Sequence, residues 1–453
     1  MNKTLMLICV IACTVSAHAQ YSWRRILPQS AFTIQVNALD PQKLYVGGNS
    51  DQLWRSNDGG LNWERILLSE FQGDNALSSV LVSSVDTGVV FIGGFRMNGI
   101  VRSNDGGRTT TPVLRPSTGR MWFISEAIVE DPSNPSTMYA ARGSDGHTIY
   151  KSTDVGVTWD SVGAIAPTLA SRLCTITVRP DSTNIIFVGA RFGTIHRSDD
   201  AGKTFKQVPV LGDKLSIKND SEIPKIVFSP SNPLVGYAVV AFADPTAVVG
   251  NGGLLKTTNG GASWDRVAYP DTSLWAVEVR PSSIGTDDVF IGGFKLNGQP
   301  SVIKGDSLIG RSLDGGMTWT QLRNISWLAN NDGDTNANVW VLRYNKPSNK
   351  MYMATTCGLY VFDEPTGVEP DVIAPSSLLV TRTPDGLHVV DNQPSTVRTT
   401  WTLYDMQGAA VATGLVGASN ELTLELSAYA SGGYLMTWGT DTNFRTINFS
   451  IIR

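Results

Sequence analysis

One short phrase recurs six times along this chain: a hydroxyl residue, an acid or amide two places later, one or two glycines, and in most copies a closing aromatic. The copies run Ser56–Trp63, Ser103–Thr110, Ser152–Trp159, Ser198–Phe205, Thr257–Trp264 and Ser312–Trp319. Asp58, Asp105, Asp154, Asp200, Asn259 and Asp314 hold the third place. A short Asp or Asn side chain accepts hydrogen bonds from backbone N–H groups of its own turn, and the glycine after it tolerates positive φ. Each phrase therefore reads as a tight reversal between two strands, with the aromatic starting the outgoing strand and packing over the turn.

A phrase repeated at a near-constant period means a repeat architecture. The hydroxyl residues lie 47, 49, 46, 59 and 55 residues apart, which suits a four-stranded propeller blade. An extended apolar run precedes each copy, as in Leu44–Gly48, Val89–Gly94 and Ile185–Gly189. A seventh run, Lys350–Thr355, continues into Gly358–Phe362 with no copy of the phrase, so its blade lacks a last strand. Ser22–Leu27 matches the strand that follows the phrase elsewhere, Trp23-Arg24-Arg25-Ile26 resembling Trp63-Glu64-Arg65-Ile66. The expected fold is all-β: a seven-bladed β-propeller over residues 20–363, with residues 22–27 closing the last blade, then a linker at 364–376 and a small β-sandwich at 377–453. No convincing amphipathic helix interrupts the ring.

The phrase resembles the Asp-box, or BNR repeat, of sialidases, sortilin-type receptors, xyloglucan-degrading enzymes and photosystem II assembly factors. Four copies keep the full pattern through Trp, whereas the Ser103 copy has Thr110 in the aromatic place and the Ser198 copy has Phe205. The resemblance implies that the six Asp and Asn residues are structural, because the turn between third and fourth strands lies opposite the binding mouth.

Residues 1–19 read as a signal peptide: a short basic start at Met1-Asn2-Lys3, an apolar stretch from Leu5 to Val15 too short to span a bilayer, and an Ala17-His18-Ala19 cleavage site. A competing lipoprotein reading at Val10–Cys13 is less well formed. The mature chain is expected to start near Gln20, to be secreted or held at the cell surface, and to carry no transmembrane segment. A formal charge of −4, one unit more negative without Lys3, argues against a nucleic-acid partner. Of four cysteines, Cys174 and Cys357 remain after cleavage, in blades that are not neighbours, so buried unpaired thiols are expected.

Beyond the Pro-rich linker the tail shows alternating strands, among them Thr400–Asp405, Leu422–Leu426 and Tyr434–Trp438. It resembles the C-terminal sorting domain of type IX secretion cargo in Leu403–Gly408, in Gly432–Met436 and in a last strand ending at Arg453. It departs from that family in having a single terminal basic residue. The resemblance implies a partnership with the type IX secretion machinery and export through the periplasm and across the outer membrane. The alternative is an accessory Ig-like domain that stays on the protein.

The mouth would be built from the turns after second strands and the lead-ins to first strands. Those turns place cations at similar positions, Arg96, Arg142, Arg191 and Lys295, which would focus field on an anionic ligand or else cap solvated turns. Trp122, Trp275 and Trp340 sit at predicted starts of first strands, where rings stack on sugars, join interfaces or fill the core. Asp51, Glu126 and Glu278 are the acids near the channel, but no spacing pairs them as a glycosidase requires. Arg25-Ile26-Leu27-Pro28 interrupts the Arg-Ile-Pro motif of sialidases. Asn330–Asn336 is oxygen-rich but lacks the glycine place and terminal Glu of an EF-hand, and reads as a polar loop rather than a structural Ca2+ site; no cofactor or metal is expected. The sequence favours a non-enzymatic propeller binding a glycan or protein, with a sialidase-like or xyloglucanase-like glycoside hydrolase as the alternative and an assembly factor as a third class.

Overall fold

The computed structural model describes residues 23–71, 76–95, 99–115, 125–141, 147–166, 172–211, 221–242, 251–281, 286–294, 308–322 and 338–363, and in the tail 378–382, 386–391, 400–405, 410–415, 421–430, 432–440 and 443–451. Contacts divide the chain into two compact units, one ending at Glu364 and the other beginning at Pro365.

The first unit is seven sheets, one per blade, each with four antiparallel strands at its core. Their first strands are Thr33–Val36, Ser79–Val82, Ile128–Asp131, Leu173–Val178, Glu222–Phe228, Leu274–Arg280 and Val339–Asn345. Each first strand packs against the next, and Thr33–Val36 meets Val339–Asn345, which makes a closed ring with these strands around the axis. The seventh blade takes Trp23–Leu27 as its outer strand, with Trp23 opposite Phe362 and Arg25 opposite Tyr360. Closure leaves no blade with an unpaired face, and it ties the start of the ring to its end. Blade five gains a fifth strand, Val210–Leu211, running parallel to Trp264–Ala268, because blade four's outer strand is only Lys206–Gln207 and the chain crosses to its neighbour.

Second strands are buried apart from the first residues of Asn134–Ala141 and Lys350–Thr355, and the core lies between blades: one cluster joins Phe91 of blade two, Met138 and Tyr139 of blade three, and Ile176 and Ile186 of blade four. Cys174 and Cys357 are both buried, and no disulfide joins them.

The six repeated turns share one bonding scheme. In blade three, Ser152 Oγ donates to Asp154 Oδ1 at 2.7 Å and accepts from the Gly156 N–H at 2.8 Å. Asp154 also accepts from the Thr158 N–H at 2.9 Å and the Thr158 hydroxyl at 2.6 Å. Beyond that shared scheme, Trp159 Nε1 donates to Gly156 O at 3.1 Å, which lays the indole over the turn, as Trp63 and Trp319 do in theirs, whereas Trp264 Nε1 is buried without a hydrogen-bond partner among the described residues. Gly156 has φ 70°, and a Cβ there would meet the Phe91 ring of blade two at 2.2 Å, so glycine is needed for both conformation and space. These donors hold Asp58, Asp105, Asp154, Asp200 and Asp314 ionised down to about 2.

A second repeat lies just ahead of the first. Arg55, Arg102, Lys151, Arg197, Lys256 and Arg311 each precede the hydroxyl residue. Five of them sit over an aromatic ring of their own blade's second strand, as Arg102 does over Phe91 at 5.7 Å and Lys256 over Tyr237 at 5.5 Å. Four of the six cations reach the next blade: Arg55 donates to Asp105 O and Gly106 O at 3.2 Å, Arg102 to Val155 O at 3.1 Å, Arg197 to Gly260 O at 3.2 Å and Lys256 to Gly315 O at 2.7 Å. Arg311, which faces the blade without a turn phrase, instead lies over Phe362 at 5.5 Å. Four of the turns are thereby anchors for the blade before them.

The tail unit is two sheets, one of three strands and one of four. Leu387, Val389 and Leu424 from the first sheet pack with Trp401, Leu403, Tyr434 and Met436 from the second. The result is a small sandwich with a shared core.

Candidate functional site

The channel is charged in its centre. Glu126, two residues ahead of the first strand of blade three, is 6 % exposed and accepts from donors on three other blades. Thr33 Oγ1 and Gln35 Nε2 of blade one reach Oε1 at 2.9 and 3.0 Å, and Lys225 Nζ of blade five reaches Oε2 at 2.8 Å. Arg343 Nη2 of blade seven contacts Oε1 at 2.6 Å and Oε2 at 2.5 Å. The Thr175 hydroxyl of blade four donates to the Glu126 backbone carbonyl at 3.2 Å. Burial alone would raise the Glu126 pKa, but Arg343 and Lys225 overcome it and hold the group at about 2.

Glu278 of blade six is the second acid here. Its Oε2 lies 3.9 Å from Arg343 Nη1, and its Oε1 accepts from the Val279 N–H at 3.0 Å. Burial outweighs these contacts and pushes its pKa up. The two acids therefore differ in state: Glu126 is a locked carboxylate, and Glu278 holds its proton more readily than an ordinary glutamate. Sequence reasoning singled out both acids but missed Lys225 and Arg343. The available signal was a charged residue inside an otherwise apolar first strand, as in Glu222-Ile223-Pro224-Lys225-Ile226 and Val341-Leu342-Arg343.

First strands start, and second strands end, on the face opposite the repeated turns. There Trp340 is ringed by aromatics: Phe32 at 5.5 Å, Trp275 at 5.3 Å and nearly perpendicular at 85°, and Phe294 at 5.5 Å. Trp275 also packs on Phe294 at 4.6 Å and is 6 % exposed, so its ring faces serve the core and not a ligand. Trp340 is only partly buried as a residue, but its indole nitrogen is itself buried and has no hydrogen-bond partner among the described residues. It lines a small crevice with Ser125, Glu126, Lys225, Ala276 and Val277. Aromatic mouth and ionic channel are thus adjoining.

Of the four cations expected at the mouth, Arg191 is described: it follows the second strand of blade four, bridges Glu222 through its backbone, and lies 5.9 Å from the Phe192 ring. Glu222 pairs with Arg172 at 3.2 Å beside it. Arg96, Arg142 and Lys295, with Trp122, the Asn330–Asn336 loop and the signal peptide, lie outside the described residues. Asp51 sits in the turn before Gln52–Ser56, where its backbone carbonyl accepts from the Leu68 N–H at 2.9 Å, and no contact joins it to Glu126 or Glu278 among the described residues. No group of three or more His, Cys, Asp or Glu is placed to hold a metal among the described residues. No described helix is long and apolar enough to cross a membrane.

No family model matches the chain. Xyloglucanase Xgh74A of Acetivibrio thermocellus is 26% identical over 162 residues, 29% of this chain and 19% of the enzyme, so the match spans about a fifth of that protein's length. The GH74 xyloglucanase of Xanthomonas campestris superposes with a TM-score of 0.56 at 15% identity, over 82% of this chain and 60% of that one. PorZ, a surface component of the type-IX secretion system of Porphyromonas gingivalis, superposes with a TM-score of 0.50 at 14% identity, over 94% of this chain and 60% of its own. At these identities the structural likeness establishes the propeller fold.

Proposed function

We propose that this protein is a secreted or cell-surface propeller that binds a glycan or protein ligand at the mouth beside Trp340, and that its tail is a sorting domain for type IX export. The observation that carries the binding reading is the state of Glu126. A glycosidase needs two carboxyl groups free to act across the scissile bond, whereas this carboxylate already accepts from Thr33, Gln35, Lys225 and Arg343. Trp340 offers a partly exposed ring, which suits a sugar face or an interface. On this reading the repeated turns are Asp-boxes, the leader directs export, and the likeness to PorZ agrees with a surface location.

The hydrolase reading has two specific supports, the identity shared with Xgh74A and a buried acid of raised pKa at Glu278, 3.9 Å from Arg343. A single screen separates the two. The chain from Gln20 is passed over neutral and acidic polysaccharides, xyloglucan included, recording retention and released reducing sugar. Retention without release, weakened by Trp340→Ala, is expected. Release that disappears in Glu278→Gln would establish the hydrolase, and neither signal would direct the search to a protein ligand.

A further inference from the structure

We propose that the channel is a carboxylate-binding site whose occupant in this chain is its own Glu126. The donor set is that of a receptor and not of one ion pair. A guanidinium touches both oxygens at 2.6 and 2.5 Å, an ammonium takes one at 2.8 Å, and a hydroxyl and an amide take the other at 2.9 and 3.0 Å. These donors belong to blades one, five and seven, while the carboxylate is delivered by a lead-in segment of blade three, ahead of its strand Ile128–Asp131. The receptor half and the ligand half are therefore separate parts of the fold.

Beyond Cβ a glutamate side chain is an acetate: Glu126→Ala removes four heavy atoms, and acetate has those same four. The emptied space would adjoin the crevice lined by Ser125, Lys225 and Trp340, and the side chains of Lys225 and Arg343 keep 15% and 24% exposure, which gives a small anion a route in. Arg343 Nη2 spans both carboxylate oxygens while Lys225, Thr33 and Gln35 each take one of them, a two-oxygen arrangement that a spherical chloride cannot reproduce. The ligand class is a short monocarboxylate. Among the described residues Glu278, 3.9 Å from Arg343, is the acid placed to slide into the vacancy, so the test neutralises it as well. The inference stands whether the mouth binds or hydrolyses its ligand.

The full chain carrying Glu126→Ala and Glu278→Gln is unfolded thermally in acetate and in chloride at equal ionic strength. Acetate is expected to raise the midpoint saturably by roughly 3–6 °C over chloride. The rise should be missing in the parent chain, whose site is filled, and should vanish when Arg343→Met is added. If the variant does not stay folded in chloride, its refolding yield is compared in the two salts, with recovery expected in acetate alone. Equal behaviour in acetate and chloride, or no recovery in either, overturns the proposal.

Discussion

The turn face and the channel both join blades, and they do so in opposite ways. On the turn face one device serves four junctions: the cation just ahead of the turn phrase reaches a carbonyl of the next blade's turn, as Arg55 reaches Gly106 and Lys256 reaches Gly315. In the channel no blade repeats another. One carboxylate gathers Thr33, Gln35, Lys225 and Arg343, the last of them 217 residues away. What the ring uses at several junctions is written repeatedly, and what it needs once, at the axis, is written in single residues.

The largest effect that separates the two faces is expected from Arg343→Ala. It leaves a buried carboxylate with Lys225 as its one cation, and stability should fall by about 3–5 kcal/mol, read by urea unfolding. A loss below about 1 kcal/mol would place the channel on a level with the surface.

Gly156→Ala comes next, at about 2–3 kcal/mol, because φ is 70° and the new methyl meets Phe91 at 2.2 Å. A neutral result would mean that the turn, and blade two with it, can shift.

The acid limb of stability gives a smaller and graded test. Asp58, Asp105, Asp154, Asp200 and Asp314 have folded pKa values of about 2 against 3.8, and Glu126 about 2 against 4.5. Each is depressed on folding, so its contribution is whole above the unfolded value and is lost as pH falls from 4.5 towards 2. Glu278, shifted upward, acts in the other sense, and its contribution is lost as pH rises through its folded pKa. Asp154→Asn keeps the acceptor that Asn259 supplies in blade five, and should make the acid limb shallower by one proton while changing neutral stability by less than about 1 kcal/mol. Identical slopes in variant and parent would show that this carboxylate does not titrate with unfolding.

The smallest effect belongs to Arg108→Ala. Its pair with Glu64 at 3.3 Å is open to solvent, with 58% exposure on the arginine side. The loss should stay within about 0.5 kcal/mol and fade in salt.

The contrast between the faces also explains what was legible in the sequence. The blade count rested on a local phrase, in which Ser152, Asp154 and Gly156 bond within five residues of one another. Local chemistry at fixed spacing survives in a one-dimensional string. The cation ahead of each hydroxyl was equally visible as a repeat, but its role was not, because it depends on the neighbouring blade's carbonyl. The two acids of the channel were picked out by type and place, yet their states were unreadable: Glu126 is locked and Glu278 is proton-rich only because of where Arg343 and Lys225 fall after closure. Trp275 and Trp340 looked alike in sequence as well. Packing on Phe294 buries the first and leaves the second at the mouth.

A double-mutant cycle with Glu126→Gln and Arg343→Met, followed by urea unfolding, tests most directly whether the channel carboxylate is a lock between blades and not a working acid. A coupling of about 2 kcal/mol or more is predicted. Single-mutant losses that add to within about 0.5 kcal/mol would contradict it.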